Sequence, residues 1–218
     1  MITKAFPNLH EIKHPLLQHK LSLLRDVNTG KQLFNKLVYE ITLILGIEAT
    51  RFLPLRATKI RTPLEDMEAP VLAGKLPVIV PILRAGLGMV NAMSELMPAA
   101  KVGHIGLYRD EKTFKAIHYY FKIPKDYELR HFFICDPMLA TGGTAVEAIK
   151  QLRENNVSAI SLVCIIAAPE GVQRLLDTYP EVPIYTASLD RQLNASNYIL
   201  PGLGDAGDRL YGTLDSNA

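Results

Sequence analysis

The sequence predicts an α/β fold whose mostly parallel central sheet is flanked by helices. From Pro77 onward, short apolar segments typical of strands alternate with segments that have helical spacing, as in a series of βαβ units. The strand segments are apolar along their whole length, which favours a sheet covered by helices on both faces. Arg84, Arg109 and Asp136 each follow such a segment. Because ligands of open α/β sheets bind outside the C-terminal ends of the strands, we expect the functional site there.

Composition favours one globular domain, residues 1–218, and argues against several functional classes. The formal net charge is only +2, so the chain lacks the overall basic excess typical of nucleic-acid-binding domains. The N-terminus does not look like a secretory signal, and the longest apolar run, 159–169, is shorter than the ~20 residues that cross a bilayer. Cys135 and Cys164 lie in apolar segments, which favours buried thiols in a cytoplasmic protein. Since no Cys/His cluster has metal-ligand spacing, we expect no structural metal.

Two helices are predicted within about 15–49, where they would cover the sheet or a partner subunit. The first begins at Pro15 and ends near Arg25, and the second runs from about Thr29 to Ala49. Residues 51–71 are β-rich with three prolines and predict an irregular hairpin. The second helix has an apolar stripe formed by Leu33, Phe34, Leu37, Val38, Ile41, Ile44 and Leu45.

The predicted core, about 72–187, contains the alternation of strands and helices. Residues 109–127 interrupt it with lysines and aromatic residues, which predicts a protruding hairpin or lid. The tail, about 188–213, is rich in glycine and has no helical period. Strands are expected at 78–83, 102–108, 131–135, 160–167 and 184–186, with helices that end near residues 96, 154 and 178.

The segment with the most chemical information follows the strand that ends at Cys135. Asp136 starts a loop in which Ala140-Thr141-Gly142-Gly143-Thr144 leads directly into a helix. Paired glycines let a ligand approach the backbone, and a helix N-terminus favours anions. The lysine of a nucleoside-triphosphate P-loop is missing. The segment predicts a phosphate-binding loop beside an acid, which suits a phosphorylated sugar, and the alternative is a glycine-rich turn with a threonine cap.

This order of strand, acid, loop and helix resembles the signature of the type I phosphoribosyltransferases. Pro137-Met138-Leu139 after the acid resembles the uracil phosphoribosyltransferases in particular, although Thr144 stands where that family commonly has serine. The resemblance runs in register from about His14 to Thr213. It includes residues 80–89, 106–111, 167–171, 185–190 and 198–209.

The resemblance implies an enzyme of pyrimidine salvage that joins uracil to 5-phospho-α-D-ribose 1-diphosphate and releases UMP and pyrophosphate. Asp136 would bind the ribose hydroxyls, and the loop from Ala140 to Thr144 would hold the 5′-phosphate. Pro137, Met138 and Leu139, which join the two, would also contact the diphosphate sugar. Arg84 and Arg109 would bind the diphosphate. The diphosphate would bring Mg²⁺ with it, and Asp205 would reach the metal through water and complete the catalytic set. The main chain of four residues would recognise uracil: Ile199, Gly204, Asp205 and Ala206.

No histidine or glutamate pair stands out as a general base, which agrees with catalysis by orientation and electrostatic stabilisation. Residues 109–127 would serve as a lid or as a subunit contact. The family is usually dimeric or higher, so a homodimer is the smallest expected unit, with GTP as a candidate effector. Two alternatives stay open: a regulatory RNA-binding protein of the same fold, using the basic and aromatic hairpin, and a phosphoribosyltransferase for another base.

Overall fold

The computed structural model describes residues 6–109 and 116–213, without the side chains of residues 108, 109 and 116. The N-terminal part begins with a short strand, continues with two helices and ends in an antiparallel hairpin. Its elements are β1 (Leu9–Glu11), α1 (Pro15–Arg25), α2 (Lys31–Ala49), β2 (Leu55–Arg61) and β3 (Asp66–Leu72).

The middle of the chain contains most of the central sheet, and the tail adds a small two-stranded sheet and a short helix. The middle elements are β4 (Val78–Leu83), α3 (Leu87–Leu96), β5 (Lys101–Val102), β6 (His104–Arg109), β7 (Ala116–Lys122), β8 (Phe132–Cys135), β9 (Met138–Leu139), α4 (Gly143–Glu154), β10 (Ile160–Ala167), α5 (Pro169–Thr178) and β11 (Ile184–Leu189). The tail consists of β12 (Gln192–Leu193), β13 (Ile199–Leu200) and α6 (Ala206–Tyr211).

Nine strands of the described residues form one sheet in the order β1-β11-β10-β8-β4-β6-β7, with β5 beside β4 and β9 beside β10. The pairs are parallel, except for the antiparallel pair of β6 and β7 at one edge. This topology confirms the predicted α/β class. The parallel order also brings the C-terminal ends of β4, β8 and β10 to one side of the molecule, which is where such sheets bind ligands.

Side chains alternate between the two faces of the sheet, and helices cover both faces. On one face, Phe133 and Val163 pack with residues of α1, α2 and α3. On the other, Phe132 and Leu162 pack with residues of α4 and α5. Every residue of β10 is buried, as expected for a central strand, and each such apolar side chain stabilises the fold by about 1.5–3 kcal/mol.

Several local features differ from the predicted ones. The helix α2 begins at Lys31 because Gly30 is extended, and Leu33 in its predicted stripe is 45% exposed. The prediction missed β1 and α6, which have three and six residues and are too short to show a period. Their positions depend on pairing with β11 and on capping by Asp205, neither of which a local pattern reveals.

The predicted protruding hairpin is present, but it begins before the predicted segment 109–127. Its first strand is β6, which starts at His104, and its second is β7, with a register irregularity between Gly106 and Leu107. Residues 112–115, which carry part of its basic and aromatic character, lie outside the described residues. Both cysteines are free and buried, as predicted. Among the helices described for this chain, none has the length and apolarity required to span a bilayer.

Candidate active site

The ends of two neighbouring central strands bring Arg84 and Asp136 together. Pro81 of β4 pairs with Cys135 of β8, and each predicted site residue follows shortly after that pair. The peptide bond between Leu83 and Arg84 is cis. Both side chains line a cavity of about 220 Å³ whose other walls come from the loop after β8 and from the tail. The tail contributes Asp205, Ala206 and Gly207.

Asp136 has an environment unlike that of a surface carboxylate. It is partly buried, and its Oδ1 accepts a hydrogen bond from the backbone N–H of Met138 at 3.2 Å. Burial raises the pKa of Asp136 to about 7, the negative charge of Asp205 adds to this rise, and the Met138 hydrogen bond opposes it. The carboxyl therefore changes charge near neutral pH, which is characteristic of functional groups in clefts.

Arg84 is exposed at the mouth of the same cavity. Its guanidinium lies 5.8 Å from the ring centroid of Tyr211, and the Tyr211 hydroxyl donates a hydrogen bond to the Arg84 carbonyl at 2.8 Å. One tyrosine of α6 therefore restrains both the backbone and the side chain of Arg84. Sequence reasoning did not identify Tyr211, since the two residues are far apart in the chain. Arg109 ends β6, and its side chain lies outside the described residues.

The loop after Asp136 divides into a part held by the sheet and a part that faces outward. The carbonyl of Pro137 accepts hydrogen bonds from the N–H groups of Ile165 and Ile166, at 3.0 and 3.1 Å, and the Leu139 carbonyl accepts one from Ala168 at 2.9 Å. Pro137 and Leu139 are buried, so these bonds fix the loop to β10. The predicted ligand groups that remain are Met138, which lines the cavity, and residues 140–144 at the start of α4.

The tail forms a second cavity, of about 270 Å³, next to the first. Asp205 lines both cavities, and its Oδ1 accepts a hydrogen bond from the N–H of Asp208 at 2.9 Å, which caps α6. Gly204 lines the second cavity and Ala206 the first. Ile199 is 3% exposed and belongs to the core, and it lines neither of these two cavities. Three of the four residues predicted to recognise uracil thus lie around the cavities.

A buried ion pair holds the tail against α1. Arg25 donates to both carboxylate oxygens of Asp190, at 2.7 and 2.5 Å, and its Nη1 also donates to the Gly202 carbonyl at 2.6 Å. The Gly202 N–H donates to Asp190 at 3.0 Å, and so does the Ser188 hydroxyl at 2.8 Å. These bonds satisfy both charges. They also hold the backbone of Gly202, which lines the second cavity.

Replacing Asp190 by asparagine should lower the free energy of unfolding by about 3 kcal/mol, because the largely buried Arg25 guanidinium loses its counter-charge. Urea denaturation at neutral pH measures this. The matched control is Glu154→Gln, which changes a pair with Lys150 at 3.9 Å whose carboxylate is 61% exposed and should alter stability by less than about 1 kcal/mol. Equal effects of the two substitutions would contradict this role of Asp190.

Arg209 stabilises the other side of the tail. Its guanidinium lies 4.4 Å from the ring centroid of Phe34 and donates to backbone carbonyls in the tail, in α1 and in the turn after α1. These acceptors are Leu203, Leu24, Asp26 and Thr29. Arg209 therefore lines the second cavity and at the same time connects the tail to α1 and to the turn after it.

Comparison with known proteins agrees with this geometry. A family model described as uracil phosphoribosyltransferase matches residues 11–213. A protein of that name from Bacillus pumilus is 54% identical over 200 residues, covering 92% of this chain and 96% of its own length. Another, from a Thermoanaerobacter species, is 54% identical over 208 residues, covering 95% and 99%.

Solved structures also resemble this chain. The structure of a protein from Aquifex aeolicus is similar with a TM-score of 0.87 and 37% identity, covering 93% of this chain and 97% of that one. A hypoxanthine-guanine phosphoribosyltransferase from Bacillus anthracis has a TM-score of 0.50 and 10% identity, covering 73% and 80% of the two chains. At 10% identity, the similarity to the Bacillus anthracis structure shows a shared fold and nothing more.

Proposed function

The chain belongs to the uracil phosphoribosyltransferase family, and it is therefore an enzyme of pyrimidine salvage; we propose that the cavities at the sheet edge are its active site. The reaction joins uracil to 5-phospho-α-D-ribose 1-diphosphate and gives UMP and pyrophosphate. The observation that carries the site proposal is that Arg84, Asp136 and Asp205, from three separate segments, line one cavity. The loop after Asp136 leads from this cavity to the glycine-rich N-terminus of α4.

The sugar is proposed to bind with its hydroxyls on Asp136 and its 5′-phosphate on residues 140–144. The carboxylate has two oxygens for two ribose hydroxyls, and the first N–H groups of α4 have no partners within the helix and suit a phosphate. Arg84 then binds the diphosphate, and Arg109 is its proposed second partner. Guanidinium groups match paired anionic oxygens and stabilise negative charge as it develops on the leaving group.

In the proposed reaction, the bond between ribose C1 and the diphosphate oxygen breaks, and both bonding electrons leave with the pyrophosphate. The N1 atom of uracil forms the new bond to C1 and releases its proton to solvent. Catalysis rests on holding the two reactants in line and on neutralising the departing diphosphate. A general base with a depressed or raised pKa is not required for this scheme.

Uracil is proposed to bind where the two cavities meet, at Gly204, Asp205 and Ala206, with the main chain of Ile199 as the fourth proposed contact. Uracil presents two carbonyl acceptors and an N3–H donor, a pattern that backbone N–H and C=O groups can complement. The cap that Asp205 provides to α6 and the Arg25–Asp190 pair support this proposal, because they hold the backbone of the segment in place.

Mg²⁺ is proposed to enter with the diphosphate. Asp136 and Asp205 both line the first cavity, and the charge of Asp205 raises the pKa of Asp136, so a cation between diphosphate and carboxylates would be favoured there. The described residues contain no group of three or more ligands that would hold a metal by themselves, which suits an ion coordinated mainly by substrate oxygens and water. Bound in this way, Mg²⁺ would neutralise diphosphate charge.

A homodimer and a cytoplasmic location are also proposed. The hairpin of β2 and β3 carries Leu55, Ile60, Met67 and Leu72, each more than 40% exposed, and a second copy would remove these side chains from water. Light scattering measures the mass in solution.

Two buried free thiols support the proposed location in the cytoplasm, where thiols stay reduced. GTP is the proposed effector, and initial rates with and without GTP test it.

Acceptor choice tests the proposed function directly. Uracil should react with the diphosphate sugar with a kcat/KM at least about 100-fold above those of cytosine, hypoxanthine and orotate, because a mismatched base leaves buried backbone groups unpaired. Competition between the four bases in one reaction, resolved by chromatography of the nucleotide products, measures the preference. Preferred use of orotate or of the purine would overturn the assignment of uracil.

A further inference from the structure

The helix α5 touches the backbone of the phosphate loop directly. A Cβ on Gly171, in the first turn of α5, would lie 2.3 Å from the Ala140 carbonyl oxygen. Gly142 has a φ of +76°, and a Cβ there would lie 2.7 Å from the Gly171 carbonyl oxygen. Only glycine fits both positions, because no real Cβ comes so close to backbone atoms and because a left-handed φ disfavours other residues. The two glycines therefore place α5 against residues 140–143.

This contact brings Arg174 over the loop. Arg174 follows Gly171 by three residues and so lies on the same face of α5. Its Nη1 and Cζ lie 3.3 and 3.6 Å from the position that a Cβ on Gly143 would take. The guanidinium thus fills the space beside the first residue of α4, and Gly143 is the residue that leaves this space open.

The charges at this position are not balanced within the described residues. The N-terminus of α4 carries the positive end of the helix dipole, and the guanidinium of Arg174 adds a full positive charge beside it. No described carboxylate forms an ion pair with Arg174, and the two acids of α5 have other partners: Glu170 accepts from the Leu193 N–H and Asp177 from Gln173. Two positive groups side by side repel each other unless an anion lies between them.

We propose that Arg174 is a binding residue for the 5′-phosphate of the sugar substrate, contacting it from α5 while the amides at the start of α4 contact it from the other side. This inference rests on the proposed function, since residues 140–144 are the phosphate loop of that site. It supplies the cation that the loop itself lacks. It also predicts selectivity for sugars phosphorylated at the 5′ position.

Arg174→Gln tests this role with a substitution that removes the charge of an exposed side chain but keeps it polar and unbranched at Cβ. We expect the Kd for ribose 5-phosphate, measured by titration calorimetry, to rise at least about fivefold, because a charge-assisted phosphate contact is lost. The KM for the diphosphate sugar should rise by a similar factor, with kcat and the KM for uracil within about twofold of wild type. Arg174→Lys should restore part of the affinity, since it keeps the charge without the fork.

The matched control is Lys150→Gln, which removes the same charge from α4 roughly 10 Å further along the helix and should leave ribose 5-phosphate binding unchanged. Unchanged binding in Arg174→Gln would overturn the inference, as would an absence of ribose 5-phosphate binding in wild type. A weakened inhibition by pyrophosphate without weakened ribose 5-phosphate binding would overturn it too. Because the calorimetry needs no turnover, it separates the two proposals: loss of binding in Arg174→Gln sustains this inference even if uracil proves not to be the acceptor.

Discussion

Replacing Asp136 by asparagine should lower kcat/KM for the diphosphate sugar by at least about tenfold. The carboxylate accepts two ribose hydroxyl hydrogen bonds in the proposed complex, and an amide offers one acceptor and one donor in its place. Because the two side chains have nearly the same shape, the cavity should be preserved. Steady-state kinetics with the sugar varied at saturating uracil measures the loss.

The same variant should change the pH dependence of activity and stability. Since the pKa of Asp136 is raised to about 7, the carboxylate form and hence kcat/KM should increase as pH rises through 7, and this limb should be absent in Asp136→Asn. The free energy of unfolding should depend on pH in the opposite direction to kcat/KM. The folded protein keeps the Asp136 proton to a higher pH than the unfolded chain, so wild-type stability should fall between about pH 4 and 7. Relative to wild type, Asp136→Asn should therefore be more stable at pH 8 than at pH 5.

The control for this variant is Asp177→Asn, an equivalent change on the exposed face of α5. It should preserve both the rate and its pH profile. Kinetics of Asp136→Asn that match wild type at every pH would refute the proposed role of Asp136. Urea unfolding at pH 5 and pH 8 checks the stability part independently of catalysis.

The second large effect is expected for Arg84→Ala, with a decrease of at least about tenfold in kcat/KM for the diphosphate sugar. In the proposed mechanism this guanidinium neutralises the departing diphosphate, so pyrophosphate should also inhibit the variant less strongly than wild type. The local fold should persist, because Tyr211 bonds to the carbonyl of residue 84, which alanine retains. Product inhibition by pyrophosphate and initial rates measure the two effects.

Two further variants separate charge from position at this site. Arg84→Lys keeps a single positive charge and should recover only part of the rate, because a lysine lacks the planar fork. Arg51→Ala removes an exposed arginine that is paired with Glu48 outside the cavities and should act as wild type. If Arg84→Ala retained wild-type kinetics and pyrophosphate inhibition, its proposed role in binding the diphosphate would be wrong.

The local sequence pattern was sufficient to predict those parts of the protein that are formed by residues close in sequence. The apolar runs of β4, β8 and β10 are continuous because helices cover both of their faces, so the runs alone predict a parallel sheet. For the same reason, the sequence predicts that Arg84 and Asp136 lie together at the C-terminal ends of the parallel strands. The loop at 140–144 could be recognised because an acid, two glycines and a helix start follow one another within nine residues, 136–144.

The tertiary structure decided the contacts between segments that are distant in sequence. Arg25 and Asp190 are 165 residues apart, and Arg174 reaches Gly143 only because Gly171 and Gly142 allow two backbones to touch. Ile199 belongs to the recognition segment in sequence, and its side chain is buried in the core, so only its main chain is left for the predicted contact with uracil. Such pairings depend on how helices and loops pack, and packing is determined by the complementarity of whole surfaces. The sequence by itself therefore determined the fold class and identified the loop proposed to bind phosphate, while packing decided which side chains surround them.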